Sequence, residues 1–262
     1  MSDNDKSSYR YAIKVEYIGK NYAGSQIQPD RKTVQSELET ALSTLIGKFS
    51  LTPENSTTNR KIKTIFSGRT DAGVNSRGQI VHFDCTKAIV ASKFLYSLNG
   101  LLPKDISVSE ISEVGFEFHA QKSAKRRYYR YEFFNRRLRN AFDGDIPLYK
   151  YPLDIERMQK SLKYLEGEHD FSAFKSAGTP NPATVCFIYN ADCSRVGDKV
   201  VIDIAGNRFL YNMVRTIVGT LFMLNKDGIP PERMKEILDG RDRAKAGMTV
   251  SPYGLTLMKV EY

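Results

Sequence analysis

The strongest constraint on the fold is an order of patterned segments that occurs twice. Tyr9 to Ile18 alternates apolar and polar residues at the period of a strand. Gly19 to Arg31, punctuated by Gly19, Gly24 and Pro29, reads as a loop. Thr33 is placed to cap a helix whose Val34, Leu38, Leu42, Leu45 and Ile46 share a face, with Gly47 near its end. The polar stretch Thr52 to Arg60 reads as a mobile insertion. Ile62 to Phe66 and Gln79 to Phe83 read as strands. Ala88 to Asn99 reads as a helix with Phe94, Leu95 and Leu98 inward and Gly100 as its stop. After Pro103, Ile106 to Ile111 reads as a strand.

The order then recurs. Arg126 to Phe134 is a strand, and Asp154 caps a helix carrying Ile155, Met158, Leu162 and Leu165. Val185 to Tyr189 and Val200 to Ile204 are strands. Arg208 to Leu224 is the strongest helix, with an apolar stripe of Leu210, Met213, Val214, Ile217, Val218, Leu221 and Phe222. Arg208, Asn212, Arg215 and Gly219 fall off that stripe, on a face free to line a cleft. Pro230 and Pro231 open a short helix to Leu238, and Leu255 to Tyr262 closes as a strand. Two strand–helix–strand–strand–helix–strand runs predict an α+β duplication, broken near Glu113 to Phe118, with halves at 1–114 and 115–262. The halves show no visible sequence repeat, so the duplication rests on element order alone.

With 41% hydrophobic and 26% charged residues among 262, the chain has the make-up of a soluble globular protein able to bury a proper core. Met1 to Arg10 is polar, and no apolar run reaches the ~18 residues of a membrane span, so a cytoplasmic protein is expected. Cys85, Cys186 and Cys193 have no paired spacing and read as reduced, small hydrophobes. No Cys/His cluster suggests zinc, and His82 and His169, without metal-ligand spacing, read as structural.

A net charge of +9 favours a polyanionic partner, and its distribution is more informative than its total. Between Lys122 and Arg139 lie Lys122, Lys125, Arg126, Arg127, Arg130, Arg136, Arg137 and Arg139, opposed only by Glu132. The same window holds Tyr128, Tyr129, Tyr131, Phe133 and Phe134. Cations neutralise phosphates and aromatic faces stack on exposed bases. A solvated basic strand with half its aromatics in the core is the plainer reading. Both hold together if Tyr129, Tyr131 and Phe133 share one face and Tyr128, Arg130 and Phe134 the other.

The stretch richest in chemistry is Ser67-Gly68-Arg69-Thr70-Asp71-Ala72-Gly73-Val74-Asn75-Ser76-Arg77-Gly78, running into Gln79 to Phe83. Glycines let a backbone turn sharply or approach a ligand, and between them stand one cation, Arg69, and one carboxylate, Asp71. Read alone, the pattern fits equally a surface turn with both charges solvated.

These residues, taken with others along the chain, resemble the TruA family of tRNA pseudouridine synthases. The resemblance includes Thr33-Val34-Gln35, Gly68-Arg69-Thr70-Asp71-Ala72-Gly73-Val74, Leu102-Pro103-Lys104-Asp105-Ile106, Phe118-His119-Ala120 and Arg127-Tyr128-Tyr129-Arg130-Tyr131. It continues through Gly167-Glu168-His169-Asp170-Phe171, Gly206-Asn207-Arg208-Phe209-Leu210, Met213-Val214-Arg215-Thr216-Ile217-Val218-Gly219 and Gly254-Leu255-Thr256-Leu257. The chain departs from the family at Ser25, where tryptophan is usual, and at Asn75, where histidine is usual; it contains no Trp.

The resemblance implies two ferredoxin-like (RRM-like) halves with joined antiparallel sheets and a central catalytic cleft, in a homodimer that grips the anticodon arm of tRNA. It implies isomerisation of uridine to pseudouridine in the anticodon stem-loop, at one or more of positions 38, 39 and 40, with no cofactor or metal. Asp71 matches the family's nucleophile; an ordinary aspartate, with a pKa of ~3.9, is ionised at neutral pH. Whether it attacks the sugar or the pyrimidine is open. Arg215 matches the arginine that pairs with the aspartate, and a nearby cation lowers a carboxylate pKa. Tyr129 matches the tyrosine that stacks on uracil, alone or while assisting loss of the C5 proton. Leu255 matches the apolar residue across the pocket. Arg69 matches the residue that fills the space of the extruded base, with a phosphate contact as the alternative. Lys125, Arg126, Arg127 and Arg130 are the expected phosphate-binding residues near Tyr129. A catalytically silent RNA-binding module of the same fold and a base-releasing glycosylase are the rival readings.

Overall fold

In the computed structural model the described residues are 8–48, 62–176 and 183–262; the insertion expected at Thr52 to Arg60 lies outside them. They form two compact units, one drawn from residues before Lys125 together with Tyr262, the other Lys125–Glu261. Among the described residues no helix is long and apolar enough to cross a membrane.

The first unit runs β1 (Tyr9–Tyr17), α1 (Val34–Lys48), β2 (Thr64–Phe66), β3 (Asn75–Cys85), α2 (Ala91–Leu101) and β4 (Ile106–Val114). Its sheet order is β4-β1-β3-β2, with every pair antiparallel. Alternation on β1 sends Tyr11, Ile13, Val15 and Tyr17 to the buried face, where they meet Val34, Leu38, Leu42 and Leu45 of α1 and Phe94 and Leu98 of α2. Each such aliphatic side chain, fully buried, stabilises the unit by roughly 1.5–3 kcal/mol. Thr33 caps α1 as its sequence suggests: its Oγ1 accepts the Ser36 N–H at 3.2 Å.

Gly100 does not stop α2. The helix runs through it to Leu101, and Leu102 turns extended at ψ 149° because Pro103 follows. The proline ring excludes the helical region for the residue before it, which outweighs the weak helix propensity of an exposed glycine.

The second unit runs β5 (Arg126–Asn135), β6 (Leu148–Tyr149), α3 (Ile155–Lys163), β7 (Gly167–Asp170), β8 (Val185–Val196), β9 (Lys199–Gly206), α4 (Met213–Lys226), α5 (Arg233–Gly240) and β10 (Leu255–Glu261). Its antiparallel sheet is ordered β10-β5-β9-β8-β7, and β6 pairs with β5 in parallel. Without β6 and β7, the strands β5, β8, β9 and β10 take the places that β1, β2, β3 and β4 take in the first unit. The expected α+β duplication of ferredoxin-like halves is therefore present at the level of topology. Two- and four-residue strands such as β6 and β7 are too short to carry a periodic signal.

Asp154 caps α3, its carboxylate accepting the Arg157 N–H at 2.9 Å. On β5 the faces divide as their alternation predicts: Tyr129, Tyr131 and Phe133 are buried, while Tyr128, Arg130 and Phe134 are half-buried. The strongest helix starts later than its apolar stripe suggests. Asn212 adopts a left-handed conformation, φ 60°, so α4 begins at Met213 and Arg208 to Asn212 approach it as a separate turn. Arg208 and Asn212 thus share no helical face with Arg215. Gly219 lines no cleft either: it is buried, and a Cβ built on it would lie 1.7 Å from the Met248 carbonyl oxygen. The missing side chain is what lets the 246–249 segment pack on α4.

Candidate active site

In the first unit the loop carrying Asp71 is held at both sides. Ser67, entering it, donates its N–H to the Ile80 carbonyl at 2.8 Å and to Gln79 Oε1 at 3.1 Å. Gln79 Nε2 donates to the Gly68 carbonyl at 2.9 Å. Thr70 is buried, its Oγ1 lies 2.8 Å from the Tyr17 hydroxyl, and its N–H and C=O both bond to Ser25. Val74 then donates its N–H to the Asp71 carbonyl at 3.1 Å, closing a tight turn with Gly73 at φ 81°. That positive φ favours glycine over any residue with a Cβ. Asp71 is half-buried at the head of this turn, and Arg69 is exposed. The turn is a fixed backbone frame presenting one carboxylate and one cation.

The second unit gathers the other candidates. Tyr129 is 8% exposed, its ring edge-on to Phe209 with centroids 5.0 Å apart. On β10, Leu257 lies opposite Tyr129 and Leu255 opposite Tyr131, and Leu255 is buried. Arg215, in the first turn of α4, donates Nε to the Val250 carbonyl at 2.8 Å and Nη1 to Asn212 Oδ1 at 2.6 Å. The Tyr131 hydroxyl donates to the Ser251 carbonyl at 3.0 Å, so Arg215 and Tyr131 both pin the segment that leads to Leu255. The left-handed turn at Asn212 is what brings its side chain back to Arg215.

The four basic residues differ in their engagements. Lys125 and Arg126 are exposed, and the Arg126 guanidinium lies 4.2 Å over the Tyr189 ring. Arg127 donates to the Asn207 carbonyl at 2.6 Å. Arg130 makes a two-pronged pair with Asp203 at 2.8 and 2.9 Å, half-exposed and therefore worth ~0–1 kcal/mol.

Both histidines read as structural have packing partners. His169 Nε2 lies 2.8 Å from the Glu166 carbonyl. His82 is 2% exposed and accepts the Ala120 N–H on Nδ1 at 3.1 Å. Burial, then the charges of Arg10 and His119, push its pKa down to about 4. The unfolded chain therefore takes up this proton first, near pH ~6.5. The stability His82 confers is complete above that pH and is lost as pH falls toward 4. His82→Asn, which keeps an acceptor and does not titrate, is expected to flatten the fall in urea-unfolding free energy between pH 7 and 4.5. Parallel curves for the two proteins would remove His82 as the cause.

Several residues of the site escape a reading by periodicity. Tyr17 and Gln79 lie in strands, where periodicity reads them only as strand residues; Phe209 carries no role in that reading, and Asn212 only a place on a helical face that the structure does not form. Gln79 carried one usable signal, an amide in a strand flanked by apolar residues and, in the fold, wholly buried. Such a group must be hydrogen-bonded, and its bonds run to the loop.

A family model described as tRNA pseudouridine synthase matches residues 13–121 and 162–262. Among relatives named tRNA pseudouridine synthase A, that of Brevibacillus brevis is 40% identical over 254 residues, covering 97% of this chain and 99% of its own. The Thermoanaerobacter sp. relative is 39% identical, with 95% and 98% coverage, and that of Colwellia psychrerythraea 38%, with 97% and 93%. Similarity of this extent takes in the glycine loop, the basic strand and the arginine helix together, and the chain accordingly belongs to the tRNA pseudouridine synthases, isomerases that convert uridine in tRNA to pseudouridine.

Proposed function

We propose that the chain acts on uridines of the anticodon stem-loop, at one or more of positions 38, 39 and 40, with Asp71 as nucleophile. The observation that carries this reading is the frame around Thr70 and Gly73, which holds the half-buried Asp71 carboxyl on a loop fixed from both sides. The carboxylate bonds to the ribose at C1′ as the N1–C1′ bond breaks, or adds to the pyrimidine ring before that bond breaks. Uracil turns, C5 bonds to C1′, and the carboxylate is expelled from the carbon it had attacked; the C5 proton leaves to solvent and N1 gains a proton. Mass is conserved, and no oxidant or co-substrate enters.

In this reading Arg215 pairs with Asp71 and keeps it ionised, Tyr129 stacks on the uracil, and Leu255 closes the other side of the pocket. Arg69 enters the space that the base vacates, a step that offsets part of the few kcal/mol of unstacking. Lys125, Arg126, Arg127 and Arg130 supply the salt-dependent phosphate contacts, and the enzyme works as a homodimer. The test is tritium release from C5-labelled uridine in a tRNA transcript, with mapping of the modified positions. Release with unchanged RNA mass and no free uracil is the expected result. Free uracil would identify a glycosylase, and binding without release a silent RNA-binding module.

A further inference from the structure

The loop that presents Asp71 is fastened to residues 19–25 by two side chains, Ser25 from that segment and Asn75 at the start of β3. Ser25 is 1% exposed. Its Oγ accepts the Thr70 N–H at 2.8 Å and its own N–H donates to the Thr70 carbonyl at 3.1 Å. One residue thereby fixes the two peptide planes that flank Thr70, the second of which is the plane entering Asp71. Their close approach depends on Gly24, at φ 111°, where a Cβ would lie 2.8 Å from the Thr70 carbonyl oxygen. On the far side of the loop, Asn75 Oδ1 accepts the Gly19 N–H at 2.9 Å, and a Cβ at Gly19 would lie 2.1 Å from the Val74 carbonyl oxygen. Residues 19–25 thus hold residues 70–75 at both ends.

We propose that Ser25 and Asn75 are positioning residues for Asp71, an inference that rests on the function proposed above. Without the Ser25 hydroxyl, the Thr70 N–H is buried and unpaired, and the peptide rotates to relieve it. A displacement of about 1 Å at a reacting group costs about a hundredfold in rate.

The test is the single-turnover rate of tritium release with enzyme saturating over tRNA, measured well below the unfolding midpoint beside the tRNA dissociation constant. Ser25→Ala is expected to slow release about tenfold to a hundredfold while tRNA affinity stays within about twofold, with Ser25→Thr, which retains the acceptor, restoring most of the rate. Asn75→Ala should act in the same direction and carries the test if Ser25→Ala does not fold. A wild-type rate in either folded variant, or a loss that follows affinity rather than the chemical step, overturns the proposal. Absence of release by the wild type would instead overturn the proposed function, so the two failures are distinct.

Discussion

Replacing Asp71 by asparagine is expected to lower tritium release by at least about a thousandfold while leaving tRNA affinity within about threefold of wild type. The two side chains have the same shape, and the backbone bond from Val74 N–H to the Asp71 carbonyl, which closes the turn, is untouched. What changes is charge: a neutral amide is a poor nucleophile where a carboxylate is a competent one. Binding should survive because the salt-dependent affinity is assigned to the basic residues of β5, not to this loop. Gel-shift titration beside the release assay separates the two effects. Joint loss of binding and turnover would move Asp71 from chemistry to substrate contact, and retained turnover would remove it from the site.

The second large effect is expected in stability. Gly219→Ala would ordinarily gain about 0.5–1 kcal/mol in a helix interior, since glycine is the poorer helix former. Here the added methyl would lie 1.7 Å from the Met248 carbonyl oxygen, and a Cβ on the opposing Gly247 would lie 2.4 Å from the Gly219 carbonyl. Both obstacles are backbone, which cannot swing aside as a side chain does. Overpacking of this kind costs about 1–3 kcal/mol or more, so destabilisation wins and the thermal midpoint should fall by roughly 4–8 °C. The damage should reach activity as well, because the same segment ends at Val250, whose carbonyl takes the Arg215 Nε–H. Gly100→Ala is the control: that glycine is also helical, but a Cβ there meets nothing within 4 Å. Its expected effect is a gain of up to about 1 kcal/mol. Equal effects at the two glycines would refute the close-packing account.

The contrast between these glycines marks how far a sequence can be read. Both stand near apolar helical stripes, and nothing local distinguishes them. Gly100 reads as the end of its helix and is not, because Pro103, three residues on, sets the end after Leu101. Gly219 was expected to face a cleft and instead admits a neighbouring backbone. The faces of β5 and β1, the caps at Thr33 and Asp154 and the order of elements in both halves were legible, since each is written within about ten consecutive residues as a period of two or of 3.6.

The candidate residues come from another kind of signal. Asp71, Arg69, Tyr129, Arg215 and Leu255 stand in motifs that point to a family only when taken together and in order along the chain, and the motifs do not describe what holds those residues. The left-handed turn at Asn212, which delays α4 to Met213, is stabilised by one contact outside the helix and one to its first turn: Asn212 Nδ2 donates to Ser176 Oγ at 3.0 Å, and its Oδ1 accepts from Arg215. An apolar stripe that continues through Leu210 gives no hint of it.

Sequence alone determined the two-fold element order, the buried faces of the strands and helices, and the glycine-punctuated loop in which Asp71 stands, because those properties depend on neighbours along the chain. Tertiary structure alone decided how that loop is held. Ser25 and Thr70 are 45 residues apart, and Tyr17 and Thr70 are 53 apart. No periodicity spans such a gap. A buried hydroxyl or amide finds its partner only after the hydrophobic faces have packed, when the need to satisfy every buried polar group selects one arrangement of the loop.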